Sequence, residues 1–171
     1  TDEQKKQCFA TKSGWVLENG ALTGNDNPNA DPEILVAIGE LATSIGAADI
    51  TEIEFITTAF DVSDGGTLQV RVRFNEAVDV TGTPQLTVVN DSRANHTLSY
   101  ASGTGSNELV FSLTIAAGGG GVIAADDELS IGANATALNG GTIKDAGTNT
   151  ASTITNVASI GTAAGTITAT S

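Results

Sequence analysis

Residues 68–74, Leu-Gln-Val-Arg-Val-Arg-Phe, alternate without a fault. Leu68, Val70, Val72 and Phe74 fall on one side, and Gln69, Arg71 and Arg73 on the other. A period of two in β-branched and aromatic residues fits a strand with one dry face and one wet face, and it fits no helix. Asn75 and Glu76 interrupt the pattern, and Ala77–Val80 resumes it. Thr81-Gly-Thr-Pro84 then has turn chemistry, since Gly allows positive φ and Pro fixes φ. Leu86 and Val88 alternate again, so the stretch 68–88 is expected to fold back as a hairpin in an antiparallel sheet.

The same period governs most of the chain on either side of this stretch. Ile53, Phe55 and the run to Phe60 predict one strand, and Asp61 to Gly66 an acidic turn. Ser92–Tyr100 predicts another strand through Leu98 and Tyr100. Leu109, Phe111, Leu113 and Ile115 repeat the clear alternation. Gly118–Gly121 is a break, with short strands expected around Leu129 and Ile131 and again after Leu138. Thr150–Ser171 alternates weakly through Ile154, Val157, Ile160 and Ile167, which suits a sheet edge or pairing with another molecule. About seven short strands joined by tight turns predict a mainly β chain, an Ig-like antiparallel β-sandwich. The expected core is Leu68, Val70, Val72, Phe74, Leu86, Val88, Leu109, Phe111 and Leu113.

The first fifty residues differ in kind. Residues 1–12 are polar, with Phe9 their only large apolar group, and are expected to be an arm that orders only when held. Gly14-Trp-Val-Leu17 is a short apolar patch carrying the only Trp. Glu18-Asn-Gly20 has hairpin-turn chemistry, with Leu22 pairing back. Asp31-Pro-Glu33 reads as a helix start, and Ile34, Leu35, Ile38, Leu41, Ala42 and Ile45 come at helical spacing before Gly46. Ile34, Val36 and Ile38 also alternate, and Gly39 weakens a helix by about 1 kcal/mol, so a strand is the competing reading. The division expected is an N-terminal docking segment over 1–50 and a β domain over 51–171.

The formal net charge is −13, and no Lys or Arg occurs between Lys12 and Arg71. Phosphate binding needs Lys and Arg, so nucleic acid is not an expected partner. The acidic surface reads as solvated charge, with docking onto a basic partner as the sharper alternative. The single cysteine, Cys8, excludes an intrachain disulfide. No apolar run approaches the roughly 20 residues that span a membrane. The start, Thr1-Asp-Glu-Gln-Lys-Lys-Gln, has no apolar signal-peptide region, and Thr1 fits loss of either an initiator Met or a longer leader.

Two resemblances carry a functional expectation. Val70-Arg-Val-Arg-Phe-Asn-Glu-Ala-Val-Asp-Val-Thr-Gly-Thr-Pro-Gln-Leu-Thr-Val, Tyr100–Ile115 and Leu138-Asn-Gly-Gly-Thr-Ile-Lys-Asp-Ala-Gly-Thr-Asn-Thr-Ala occur in that order. Together they resemble the Ig-like repeat of large bacterial surface proteins, the type named after a cyanobacterial swimming-motility protein, over about residues 66–152. Those proteins carry the unit in tandem, whereas one copy is present here. Gly118–Gly121 replaces the acidic residue the family has after its fifth strand, so a calcium site is not carried over to that position. Ala10-Thr-Lys-Ser-Gly-Trp-Val, with Glu33-Ile-Leu-Val-Ala-Ile later, resembles a segment near the start of virion proteins of marine tailed phages. One Ig-like unit joined to a short N-terminal arm is the layout of many phage capsid decoration proteins. In those, the arm and one face of the unit grip the shell.

Reactive constellations are sparse. Asp126, Asp127 and Glu128 come after a glycine-rich loop and are the weak candidates for calcium, as are Asp61 and Asp64, although neither set has EF-hand spacing. His96 has no second His or Cys beside it, so no transition-metal site is expected. Gly118–Gly121 lacks the Lys-Ser/Thr of a phosphate loop. The resulting expectation is a non-enzymatic structural virion protein, a capsid decoration (cement) protein, without nucleic-acid or membrane partners. Phe9, Trp15, Val16 and Leu17 are its candidate partner-binding residues. The expected partners are the major capsid protein or neighbouring copies, with a homo-oligomer such as a trimer. The alternative is an extracellular bacterial adhesin or filament subunit. A hydrolase built on paired carboxylates is the remaining reading.

Overall fold

The computed structural model describes residues 8–11, 14–17, 33–37 and 47–171. They belong to two compact units, 1–46 and 47–171.

In the first unit, β1 (Cys8–Thr11), β2 (Gly14–Leu17) and β3 (Glu33–Ala37) form an antiparallel sheet in the order β1-β2-β3. Cys8–Thr11 is therefore a paired strand, held by β2. The helix expected from Asp31 is corrected, because Glu33–Ala37 is extended and pairs with β2. Ile34 and Val36 are β-branched and suit a pleated surface, and β2 supplies a ladder that an isolated helix weakened by Gly39 lacks. Residues 38–46, and the turn expected at Glu18–Gly20 with Leu22, lie outside the described residues.

The second unit contains β4 (Ile50–Phe55), β5 (Phe60–Asp61), β6 (Gly66–Thr81), β7 (Gln85–Asn90), β8 (His96–Ser102), β9 (Ser106–Ile115), β10 (Glu128–Ser130), β11 (Thr136–Ala137), β12 (Thr142–Asp145), the short helix α1 (Ala158–Thr162) and β13 (Ile167–Thr170). Their pairing traces one path, β12-β6-β9-β8-β7-β10-β13-β5, with β4 also on β6 and β11 also on β7. Only β13 and β5 run parallel; every other strand pair in this unit is antiparallel. The mainly β class expected from the alternation is what forms. Laid flat, eight strands at about 4.8 Å spacing would reach roughly 34 Å across. Yet Phe60, Val72, Phe111, Leu129, Ile143 and Ala169, drawn from all along the path, share one buried cluster. The sheet must therefore curl until its apolar face covers itself. The carbonyl of Val62, just after β5, accepts from Gly118 N at 2.8 Å, which brings the end of the path against the exit of β9.

β6 is the spine of this arrangement. Leu68, Val70 and Val72 are fully buried and Phe74 is 2% exposed, while Gln69, Arg71 and Arg73 face outward. Its first half pairs with β4 and β9, and its last four residues pair with β12. The ladder with β9 shifts register between Arg73 and Val78, where Asn75 and Glu76 break the sequence alternation. Asn75 stitches the bulge to the chain entering β4: its N–H donates to Asp49 O at 3.0 Å, and its Oδ1 accepts from Asp49 N at 2.7 Å.

Three other expectations are corrected. β6 and β7 do not form a hairpin; β9 takes the edge of β6, and β7, β8 and β9 lie side by side, giving a Greek-key order. The Gly82 turn between β6 and β7 lies so close to the β11–β12 connection that an added Cβ would stand 2.8 Å from Gly141 Cα. Residues 53–60 are not one strand. Thr57 Oγ1 captures the Gln69 N–H at 2.9 Å, ends the β4 ladder, and leaves Phe60 to begin β5 beside β13. Residues 150–171 are not one weakly alternating segment either. Ile160 lies in α1, and only Ile167–Thr170 is a regular strand, held between β10 and β5 with Ile167 and Ala169 buried. Of the expected core, only Leu113 is partly exposed.

Candidate functional site

The apolar residues singled out near the N-terminus fall at paired positions of β1 and β2. Phe9 stands opposite Val16, Ala10 opposite Trp15, and Cys8 opposite Leu17. Leu17 is 5% exposed. A shift between Trp15 and Val16 marks a bulge against β3, a common irregularity at sheet edges. The four candidates therefore come from two adjacent strands.

Asp126, Asp127 and Glu128 do not act as a group. Asp126 adopts φ 68° at the turn, and its N–H donates to Ala169 O at 2.8 Å. Glu128 opens β10, and its N–H donates to Asp91 Oδ1 at 2.9 Å. Asp127 turns inward and is 4% exposed. Its Oδ2 accepts from Asn90 Nδ2 at 3.0 Å, Ala124 N at 2.9 Å and Arg93 Nε at 3.0 Å. The Asn90 hydrogen bond, with those from Ala124 and Arg93 and the Arg93 charge, outweighs burial and holds this carboxyl below the usual carboxylate range.

Asn90 is the hub. Its Oδ1 accepts from Ser92 N at 3.0 Å and Arg93 N at 2.9 Å, which fixes the amide orientation. Its Nδ2 therefore faces both Asp127 and, at 3.4 Å, His96 Nε2, which can only accept there. His96 is 4% exposed, and burial pushes its pKa down against the pull of Asp127. The sequence reading missed this cluster, although a signal for His96 alone was present. Leu98 and Tyr100 alternate, and one more step back along the same period reaches His96. His96 also lines a surface depression of about 380 Å³, together with Asn95, Thr97, Leu113, Ile115 and Val122.

The outward face of β4, β6 and β9 carries a ladder of charge. Arg71 binds Glu54 and reaches Glu108 at 3.4 Å. Arg73 Nε donates to Glu108 at 2.8 Å, and its Nη1 to Glu52 at 2.7 Å. The Glu52 and Glu108 hydrogen bonds hold Arg73 above its ordinary range. Both guanidinium groups thus donate to neighbouring carboxylates. Asp61 is used locally as well. Its Oδ1 accepts from Ser63 Oγ at 2.6 Å and Ser63 N at 2.8 Å, which lowers its pKa and closes the acidic turn.

Among the described residues, no three or more His, Cys, Asp or Glu side chains stand together as a metal cluster, and no helix is long and apolar enough to cross a membrane. Comparison of the chain with protein-family models, with curated proteins and with solved structures found no match.

Proposed function

We propose that this chain is a non-enzymatic structural protein of a virion, a capsid decoration protein of a tailed phage that docks through its N-terminal sheet. The observation that carries this reading is the pairing of Phe9 with Val16 and of Cys8 with Leu17, which gathers the candidate docking residues on a unit of their own. The rest of the chain supports it. The acids and bases of the second unit that stand out are committed to one another, as in Arg71–Glu54, Arg73–Glu108 and Arg93–Asp127. That arrangement suits a rigid body better than a reaction centre. The partner is the major capsid protein, with neighbouring copies of this chain as a second contact, and many weak repeated contacts supply the shell stability.

The alternative, an extracellular adhesin or filament subunit, had its most specific form in a last strand donated to the next subunit. That form is disfavoured, since β13 already has β10 on one side and β5 on the other. Co-sedimentation with empty capsids of the parent phage tests the proposal. The full chain is expected to pellet with the shells and to saturate at a fixed ratio to the capsid protein. A chain that stays in the supernatant at all protein concentrations overturns it.

A further inference from the structure

The ladder between β8 and β9 ends early. It runs through Ser102 and Val110, Tyr100 and Phe111, and Ser99 and Ser112, then stops, although β8 reaches back to His96 and β9 runs on to Ile115. Past that point each strand pairs only on its far side. Leu98, Thr97 and His96 pair with β7, and Leu113, Thr114 and Ile115 pair with β6. The depression of about 380 Å³ lies where the two strands part, lined by residues of both and by the turn at Gly119–Val122. This opening accounts for Leu113, the one expected core residue that is partly exposed.

The lining is chemically unlike the rest of the surface. None of its residues is charged, in a chain of net charge −13. Leu113, Ile115 and Val122 make it apolar, and Asn95, Thr97 and His96 add polar groups. His96 is 4% exposed, and burial pushes its pKa down, so the ring is neutral at pH 7. Since Nε2 accepts from Asn90, Nδ1 carries the proton. Nδ1 meets no acceptor among the described residues, yet it is not one of the buried atoms left without a partner, so it reaches the surface. The surface that His96 reaches is that of the depression.

We propose that the opening between β8 and β9 binds a small uncharged amide with an apolar body, whose carbonyl oxygen accepts the His96 Nδ1–H. A pocket of about 300–1,000 Å³ with apolar walls and a few fixed polar groups is the usual form of a small-molecule site. The donor is held in place from behind, because Asn90 fixes the ring and is itself fixed by Ser92, Arg93 and Asp127. No charged side chain lines the opening, so a charged ligand would lose its water without gaining a counter-ion. The facing edges of β8 and β9, which do not pair along 96–98 and 113–115, offer backbone C=O groups to the amide N–H. This site does not depend on the virion assignment.

Titration of the full chain with cyclohexanecarboxamide, followed by NMR, tests the assignment. The chain has one histidine, so its imidazole signals report on His96 alone. Saturable shifts of the His96 ring and of the Leu113, Ile115 and Val122 methyl signals are expected, with half-saturation at about 1–10 mM. Cyclohexanecarboxylate has the same shape and a charge, and should bind about tenfold more weakly or worse. Val122 is 48% exposed, so Val122→Glu should fold normally, and it should weaken the amide by about tenfold or more. Absence of any saturable shift with the amide overturns the site. Methyl shifts with an unmoved His96 ring overturn the role of Nδ1, and equal binding of the carboxylate overturns the ligand class. Amide binding undiminished in Val122→Glu overturns the site too, by placing the ligand elsewhere.

Discussion

His96 is the only histidine in the chain, so it is the only side chain with an ordinary pKa between 5 and 8. Its folded pKa is depressed, because burial disfavours the imidazolium and Asn90 Nδ2 offers a donor where the charged ring would need an acceptor. The unfolded chain therefore takes up the proton first as the pH falls. The stability this neutral ring contributes is complete above about pH 6.5 and declines below it. Asp127 has the opposite charge type and the same direction of shift. Its contribution is present above about pH 4 and is lost as the pH falls through its lowered folded value. Melting temperatures from pH 8 to pH 5 should decline in the wild type and stay nearly level in His96→Gln, which keeps an acceptor for Asn90. Equal slopes in the two proteins would contradict the cluster. At Phe111, fully buried and edge-on to Tyr100 at 6.1 Å, truncation to Ala should cost about 3–5 kcal/mol in a denaturant titration.

At the scale of elements, legibility tracked the strength of the local pattern. Residues 68–74 and 109–115 alternate so regularly that both strands and their inward faces could be read directly, and Leu68, Val70, Val72 and Phe111 are all fully buried. Which strands pair was not legible. The Thr81–Pro84 turn looks like any hairpin turn, and nothing local records that β9, some 25 residues further on, takes the edge of β6. The N-terminal error has the same origin, since Ile34 and Ile38 satisfy both periods and only the neighbouring β2 decides between them. The segment 158–162 is a more instructive failure. Ala-Ser-Ile-Gly-Thr has little helical pattern, and tertiary contact selects the turn: an added Cβ at Gly161 would stand 2.5 Å from the carbonyl oxygens of both Ile131 and Gly132. Two effects of Gly161→Ala oppose each other. Helix propensity favours Ala by about 1 kcal/mol. The clash is with backbone, which cannot rotate away, and overpacking of that kind costs about 1–3 kcal/mol. A lowered Tm is expected, and a raised one would show that α1 does not lie this close to the β10 exit.

Over the whole molecule, the candidate sites divide into those the sequence marked by composition and those it could not mark. Trp15 and its neighbours stand out because apolar residues are scarce around them. The Asn90–His96–Asp127 contact brings together residues as many as 37 positions apart, so no local spacing reveals it. What emerges is one unit whose sheet curls around its own apolar face, with its outward Arg and Glu paired, and a second, smaller unit whose sheet holds Phe9, Trp15 and Val16. On this account, function lies in attachment and not in turnover. Hydrogen exchange of the full chain, free and bound to capsids, addresses that claim at residue resolution. Binding should slow exchange at residues 8–17 and 33–37 and leave β6 and β9 unchanged. Protection that appears instead around Leu113, Ile115 and Val122, with none at the N-terminal strands, would contradict it.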